Sequence, residues 1–251
     1  MGKHLKKSNH KDVILSILQM VFLVVIVVSI LYIIKWYHDG KQNKKLEEKI
    51  SQVVIVENND NTDTEYRIDF EKLKRINNQV VGWIKVNGTQ VEYAVVQAEN
   101  NNYYLKRNLE KDYNVGGWIF ADYKNKLDGT DKNIVIYGHN MKDNSMFGSL
   151  KNILNEEWYN NEENYILDFI TEQEKYKYQV FSVYKIKNED YYINTEFQGN
   201  EFQEFVNTLK GRSIKNFNVD VYEEDSILTL STCAENNKNR VVVHAKRINI
   251  E

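Results

Sequence analysis

A single cysteine, Cys233, ends the apolar run Ile227-Leu228-Thr229-Leu230-Ser231-Thr232-Cys233, and seven residues later Arg240 opens a second run, RVVVHAKR. A strand–loop–strand of that spacing makes a hairpin, which sets Cys233 and Arg240 near each other across it. A third run, Ile134-Val135-Ile136-Tyr137-Gly138-His139, carries a histidine just past another buried strand. All three residues fall at strand termini, where a rigid scaffold presents side chains to a groove. Thiolate attack on a carbonyl needs a nucleophile, a proton carrier for the leaving amine and a cation for the developing oxyanion, and Cys, His and Arg supply those roles. A neighbouring cation also lowers a thiol's pKa from about 8.5, which favours the nucleophilic thiolate. Taken singly, each residue has a plainer reading: a small buried hydrophobe for the cysteine, a capping group for the histidine, a solvated charge for the arginine. His244 shares a strand face with Arg240 and Val242 by alternation, roughly 13 Å along the strand from Arg240, and alternation alone would allow it as the base.

Other chemistries lack their motifs. The chain has no G-x-G-x-x-G, P-loop, H-E-x-x-H or G-x-S-x-G, which removes the support for several nucleotide, metalloprotease and hydrolase readings. One cysteine permits neither an intrachain disulfide nor a cysteine-built metal site, and the five histidines are scattered. The acidic run Glu156, Glu157, Glu162 and Glu163 reads as a solvated helix face. No metal and no cofactor are expected.

Short β-rich runs must position these residues: Gln90–Gln97, Gly117–Asp122, Asn133–Tyr137, Tyr165–Ile170, Lys175–Ile186, Ile227–Ser231 and Arg240–Ile248. Their spacing by Asn, Gly and Asp loops predicts a barrel or sandwich. Residues 66–78 read as a helix with Asp69 as N-cap, and Ser145–Trp158 as another. In Asn200–Leu209, Phe202, Phe205, Val206 and Leu209 repeat at i, i+3, i+4, i+7, an amphipathic helix laid on the sheet.

With 42% hydrophobic and 27% charged residues in 251, the composition is globular rather than disordered. Val13–Ile34 is an uncharged apolar stretch, long enough for a bilayer core of about 30 Å, and it ends at Lys35-Trp36-Tyr37, where aromatics suit an interface. A cleaved signal peptide would have a shorter apolar region of roughly 7–15 residues. The expected organisation is a basic cytoplasmic tail over 1–12, a transmembrane anchor over 13–34, a polar stalk over 35–65 with a solvated loop at 57–65, and a catalytic domain over 66–251. Four lysines precede the helix and four follow it closely, so the positive-inside count is a tie. Residues 1–35 carry a net +4, which leaves −7 for the remainder, and a mildly acidic body gives no reason to expect nucleic acid.

The runs Tyr137-Gly138-His139-Asn140-Met141, Leu230-Ser231-Thr232-Cys233 and Arg240-Val241-Val242-Val243 resemble the signature segments of the sortases, cysteine transpeptidases that attach secreted proteins to the Gram-positive cell wall. Gly117–Tyr123, Tyr103-Tyr104-Leu105 and the helix ahead of the cysteine strand resemble class B in particular. The resemblance covers residues 66–251. It implies a mainly β, α+β fold, an eight-stranded β-barrel with flanking helices, behind an N-terminal anchor with the domain outside. It further implies that Cys233 attacks the carbonyl after the Thr of an NPQTN or (S/N)PxTG sorting motif to give a thioacyl enzyme. His139 would serve as acid and base, Arg240 would hold the oxyanion, and a peptidoglycan amine would be the acceptor. By the same resemblance Ser231, Thr232, Tyr137, Asn101, Leu105, Tyr192 and Ile193 line the substrate groove. Ala234 departs from the Glu common after the cysteine in this class, with Glu235 next. A hydrolytic peptidase and a non-enzymatic binding module on the same barrel remain the alternatives.

Overall fold

The computed structural model describes residues 10–58, 64–187, 189–233 and 239–248, with Cys233 described through its backbone. Two compact units divide the chain, one up to Lys44 and one from Lys45 onward. The first is helical. Helix α1 (His10–Ser51) has 42 residues, and among the described residues it alone is long and apolar enough to cross a membrane. The side chains from Val13 to Ile34 are exposed throughout.

The second unit begins inside the last turns of α1. Leu46, Ile50 and Val53 fall at i, i+4, i+7 and are buried in the domain's hydrophobic core. Strands β1 (Val54–Asn58) and β2 (Thr64–Ile68) then pair as an antiparallel hairpin, from Val54↔Ile68 to Asn58↔Thr64. This corrects the expected stalk over 35–65: the compact unit starts about twenty residues earlier than residue 66. The physical reason is the apolar stripe just named, which a solvated stalk would leave in water. Glu57, Asn58, Thr64 and Glu65, expected in a loop, form ladder pairs, and residues 59–63 lie outside the described residues.

Helix α2 (Phe70–Ile76) is capped by Asp69 as expected, its carboxylate accepting from the Lys72 amide at 2.9 Å, but it is shorter than the 66–78 read as helical, since Tyr66–Ile68 belong to β2. The barrel strands follow: β3 (Val80–Val86), β4 (Glu92–Val96), β5 (Phe120–Ala121), β6 (Asn133–His139), β7 (Ile166–Ile170), β8 (Lys175–Lys187), β9 (Ile227–Cys233) and β10 (Asn239–Ile248). They close in the order β10-β8-β7-β3-β4-β5-β6-β9, an eight-stranded barrel as expected. Strand β3 was not legible as a strand because it pairs on both edges, with β4 and β7, and is mostly buried, so it has no clean alternation. The region 145–158, expected as one helix, is a 3₁₀ segment (Gly148–Leu154) followed by the short α3 (Glu156–Tyr159). Asn155, in an extended conformation between them, breaks the run.

Helix α4 (Glu201–Arg212) matches its expected stripe, with Phe202, Val206 and Leu209 fully buried. It is tied to β8 by the Ser182 hydroxyl, which donates to the Leu209 carbonyl at 2.7 Å. Phe202 also packs edge-on against Phe197. Truncation by Phe202→Ala is expected to cost about 3–5 kcal/mol in a denaturant titration, the usual range for an aromatic removed from a closed core.

Candidate active site

Strands β6 and β9 run parallel and in register, with Tyr137↔Ser231, Gly138↔Thr232 and His139↔Cys233 as partners. Strand β10 returns antiparallel to β9, the pairing beginning at Val242↔Ser231. Continued toward the strand ends, that register brings Arg240 opposite Cys233. Three strand ends therefore meet at one rim of the barrel, and the expected Cys233, His139 and Arg240 are gathered there through their backbones. The connection between β9 and β10, with Ala234 and Glu235, lies outside the described residues. Gly138 is glycine for space: a Cβ there would collide with Ile119 Cδ1 and with the Phe147 ring.

His139 is buried, and its Nε2 lies 2.7 Å from the Leu105 carbonyl. A carbonyl only accepts, so Nε2 carries a proton, and in the neutral ring Nδ1 is the basic atom. Behind the ring stands Gly117, at φ +57°. A Cβ on it would come within 2.9 Å of His139 Cδ2 and of the Leu105 oxygen, and 2.5 Å from the Tyr104 oxygen. The close approach of backbone to imidazole that fixes His139 thus requires glycine.

Two hydrogen-bonded clusters flank this centre. On one side the buried Asp122 carboxylate accepts from Asn101 Nδ2 and from the Tyr137 hydroxyl, both at 2.8 Å on Oδ2, while Oδ1 takes the Lys124 amide at 2.9 Å. Asn101 Oδ1 in turn accepts the Tyr123 amide. On the other side the Tyr192 hydroxyl meets Ser231 Oγ at 2.9 Å and accepts from Arg240 Nη1 at 3.3 Å. The same Nη1 donates to the Glu189 carbonyl at 3.1 Å. Ser231, Thr232 and Tyr192 are fully buried, and the Thr232 hydroxyl accepts the Val241 amide at 2.8 Å. Asn101, Leu105, Tyr137 and Ile193 are half-buried. Sequence reasoning missed Asp122 as the anchor of Asn101 and Tyr137; its only signal was a carboxylate closing the apolar run Gly117–Asp122. Among the described residues no cluster of His, Cys, Asp and Glu could hold a metal ion.

His244 stands apart from this rim. It is wholly buried, with Nδ1 2.9 Å from Thr229 Oγ1 and Nε2 3.0 Å from the Tyr184 hydroxyl. Burial alone pulls its pKa down from the ordinary 6.5 to about 3. Both ring nitrogens are engaged, so the alternation that allowed it as a base does not give it a proton to exchange.

An eight-stranded barrel with these three strand ends at one rim defines a class of cysteine acyl-transfer enzyme, and similarity to known proteins agrees. A sortase domain model matches residues 84–248. Sortase B of Staphylococcus aureus is 35% identical over 243 residues, covering 94% of this chain and 97% of that protein. The structure of sortase B from B. anthracis in complex with AAEK1 superposes with a TM-score of 0.73 at 36% identity, over 85% of this chain and all of that one. A Staphylococcus aureus sortase B–substrate complex gives 0.67 at 38%, over 72% of this chain and 85% of that one. The chain belongs to the sortase family, class B, and is a sortase cysteine transpeptidase.

Two outcomes follow from the two histidines. Gly117→Ala forces an L residue into left-handed backbone and pushes on both His139 and its carbonyl partner; peptide turnover is expected to fall at least about tenfold, with a melting temperature lowered by the roughly 1–2 kcal/mol strain of that conformation. For His244, the unfolded chain takes up a proton below about pH 6.5 that the folded chain refuses until about pH 3. Stability must therefore fall as pH drops through that window, by up to roughly 1.4 kcal/mol per pH unit from this residue. Denaturant titrations between pH 7 and 5 should show His244→Phe with a shallower pH dependence than the parent; parallel slopes would exclude the neutral buried histidine.

Proposed function

We propose that the chain is held in the membrane by residues 13–34, with the short basic tail over 1–12 in the cytoplasm and the domain outside, and that it joins secreted proteins to the cell wall. The long exposed apolar surface of α1 supports the anchor, since a helix of that kind is stable in hydrocarbon and costly in water. The substrate is a protein with a C-terminal sorting motif of the NPQTN or (S/N)PxTG type, cut after its Thr.

Cys233, as thiolate, attacks the Thr carbonyl, and the developing oxyanion is met by the Arg240 guanidinium. Because Nε2 is committed to the Leu105 carbonyl, Nδ1 of His139 hands its proton to the departing amine. The thioacyl enzyme that results is then opened by an amino group of a peptidoglycan precursor or cross-bridge, whose proton returns to Nδ1. Asn101, Leu105, Tyr137 and Ile193, the half-buried members of the expected groove, meet the sorting peptide. Ser231, Thr232 and Tyr192, being buried, support the groove from behind. The observation that carries this reading is the β6–β9 ladder, which pairs the His139 and Cys233 backbones in register at the rim where β10 begins.

The test uses the full chain in detergent micelles with fluorogenic NPQTN and SPKTG peptides, with and without an added amine. Cleavage after Thr with an amine-linked product is expected. It should vanish in Cys233→Ala, and drop by about 10²–10⁴ in His139→Ala and about 10²–10³ in Arg240→Ala. Turnover that survives Cys233→Ala would sink the thioacyl mechanism, and cleavage that never captures the amine would make the chain a hydrolytic peptidase.

A further inference from the structure

Beneath the rim lies a polar constellation that the transfer chemistry does not use. Its centre is His244, set among the tilted rings of Phe181 and Tyr184 and the edge-on ring of Tyr192, at centroid distances of 6.0, 5.5 and 6.3 Å. The direction of every hydrogen bond around it can be assigned from the ends inward. Asn133 Nδ2 donates to the Asn194 carbonyl at 2.8 Å and faces the Tyr192 carbonyl at 3.5 Å, which turns Oδ1 toward Thr229. The Thr229 hydroxyl donates its single proton to that oxygen at 2.7 Å. Its Oγ1 must then accept, so His244 Nδ1 is the protonated nitrogen at 2.9 Å. A neutral imidazole has one proton, which leaves Nε2 to accept from the Tyr184 hydroxyl at 3.0 Å. The Tyr184 oxygen accepts from the Tyr191 hydroxyl at 3.1 Å.

Both ends of this chain land on the same short turn. Tyr191 supplies one end, and the carbonyls of Tyr192 and Asn194 receive the other. Between them sits Tyr192, whose hydroxyl contacts Ser231 and receives Arg240. The rest of the relay stands on the barrel: Asn133 on β6, Thr229 on β9, His244 on β10 and Tyr184 on β8. We infer that His244 is a positioning residue of this enzyme: as the link with a fixed proton direction, it clamps the turn of residues 191–194 to four barrel strands and through Tyr192 sets where the Arg240 guanidinium sits. This rests on the reading of Arg240 as the group that meets the oxyanion. The relay is directional throughout, so cutting it at any link leaves a buried donor or acceptor unpaired, and the turn moves to recover it.

Three cuts test the clamp in the full chain in micelles: His244→Phe, Tyr184→Phe and Thr229→Val. The substrate-independent reading is the rate at which phenylglyoxal modifies Arg240, followed by mass spectrometry, with the exposed Arg75 as internal reference. Each cut is expected to speed Arg240 modification several-fold relative to Arg75, and His244→Asn, whose amide nitrogen overlays Nδ1, should restore part of the protection. With the NPQTN peptide, kcat/KM should fall about tenfold in His244→Phe, the order of one buried polar link, and no further when Arg240→Lys is already present. Unchanged Arg240 modification in the folded variants overturns the inference, as does a loss that adds in full to that of Arg240→Lys. Should His244→Phe fail to fold, the two single-link cuts carry the test unaided. Faster Arg240 modification in a chain that cleaves neither peptide would leave the clamp standing and fell the proposed substrate instead.

Discussion

Everything at the rim depends on one pairing, the parallel ladder between β6 and β9. Parallel neighbours cannot be joined by a tight turn, so these strands, some ninety residues apart in the chain, are brought together only by tertiary structure. Their register is what brings a histidine that ends one strand beside a cysteine that ends the other. A slip by one residue would turn His139 to the face now occupied by Gly138, where Ile119 and Phe147 leave no room for a side chain. Tertiary packing therefore specifies the register more strongly than the hydrogen bonds of the ladder do.

Much of this could be read in the residues. Seven of the eight barrel strands announce themselves as short apolar runs, and α4 by its stripe of Phe202, Val206 and Leu209. Asp69 behaves as the capping residue its type and place suggest. That Cys233, His139 and Arg240 fall at strand ends was legible because each closes or opens such a run, and strand ends of one barrel rim converge. The elements that escaped did so for definite reasons. Strand β3 is paired on both edges and lacks alternation, and the polar ends of β1 and β2, Glu57-Asn58 and Thr64-Glu65, pass for a loop. The last turns of α1 present their apolar stripe too briefly to stand out beside the long apolar stretch before them.

The supports of the site were less legible than its principals. Residue type tells that Asp122 can accept hydrogen bonds, but not that Asn101 and Tyr137 arrive from separate segments to share one of its oxygens. Still less does any pattern encode the partner of His139, because that partner is a backbone carbonyl, present at every position and chosen only by the path of the segment around Leu105. Gly117 is the trace this contact leaves in the sequence: it reads as an ordinary loop glycine until the imidazole behind it is in view.

The two barrel histidines make the same point from the other direction. Both are buried, and both end or cross the same group of strands. What separates them is how many ring nitrogens are spoken for. In His139 one nitrogen is held by a carbonyl, and Nδ1 makes no hydrogen bond among the described residues, so the ring is oriented and still has a site for a proton. In His244 both nitrogens are taken, one giving to Thr229 and one receiving from Tyr184, in a wholly buried place that disfavours a charged ring. One half-satisfied imidazole at the rim can carry protons. The fully satisfied one beneath it holds shape through the partners on either side of the ring.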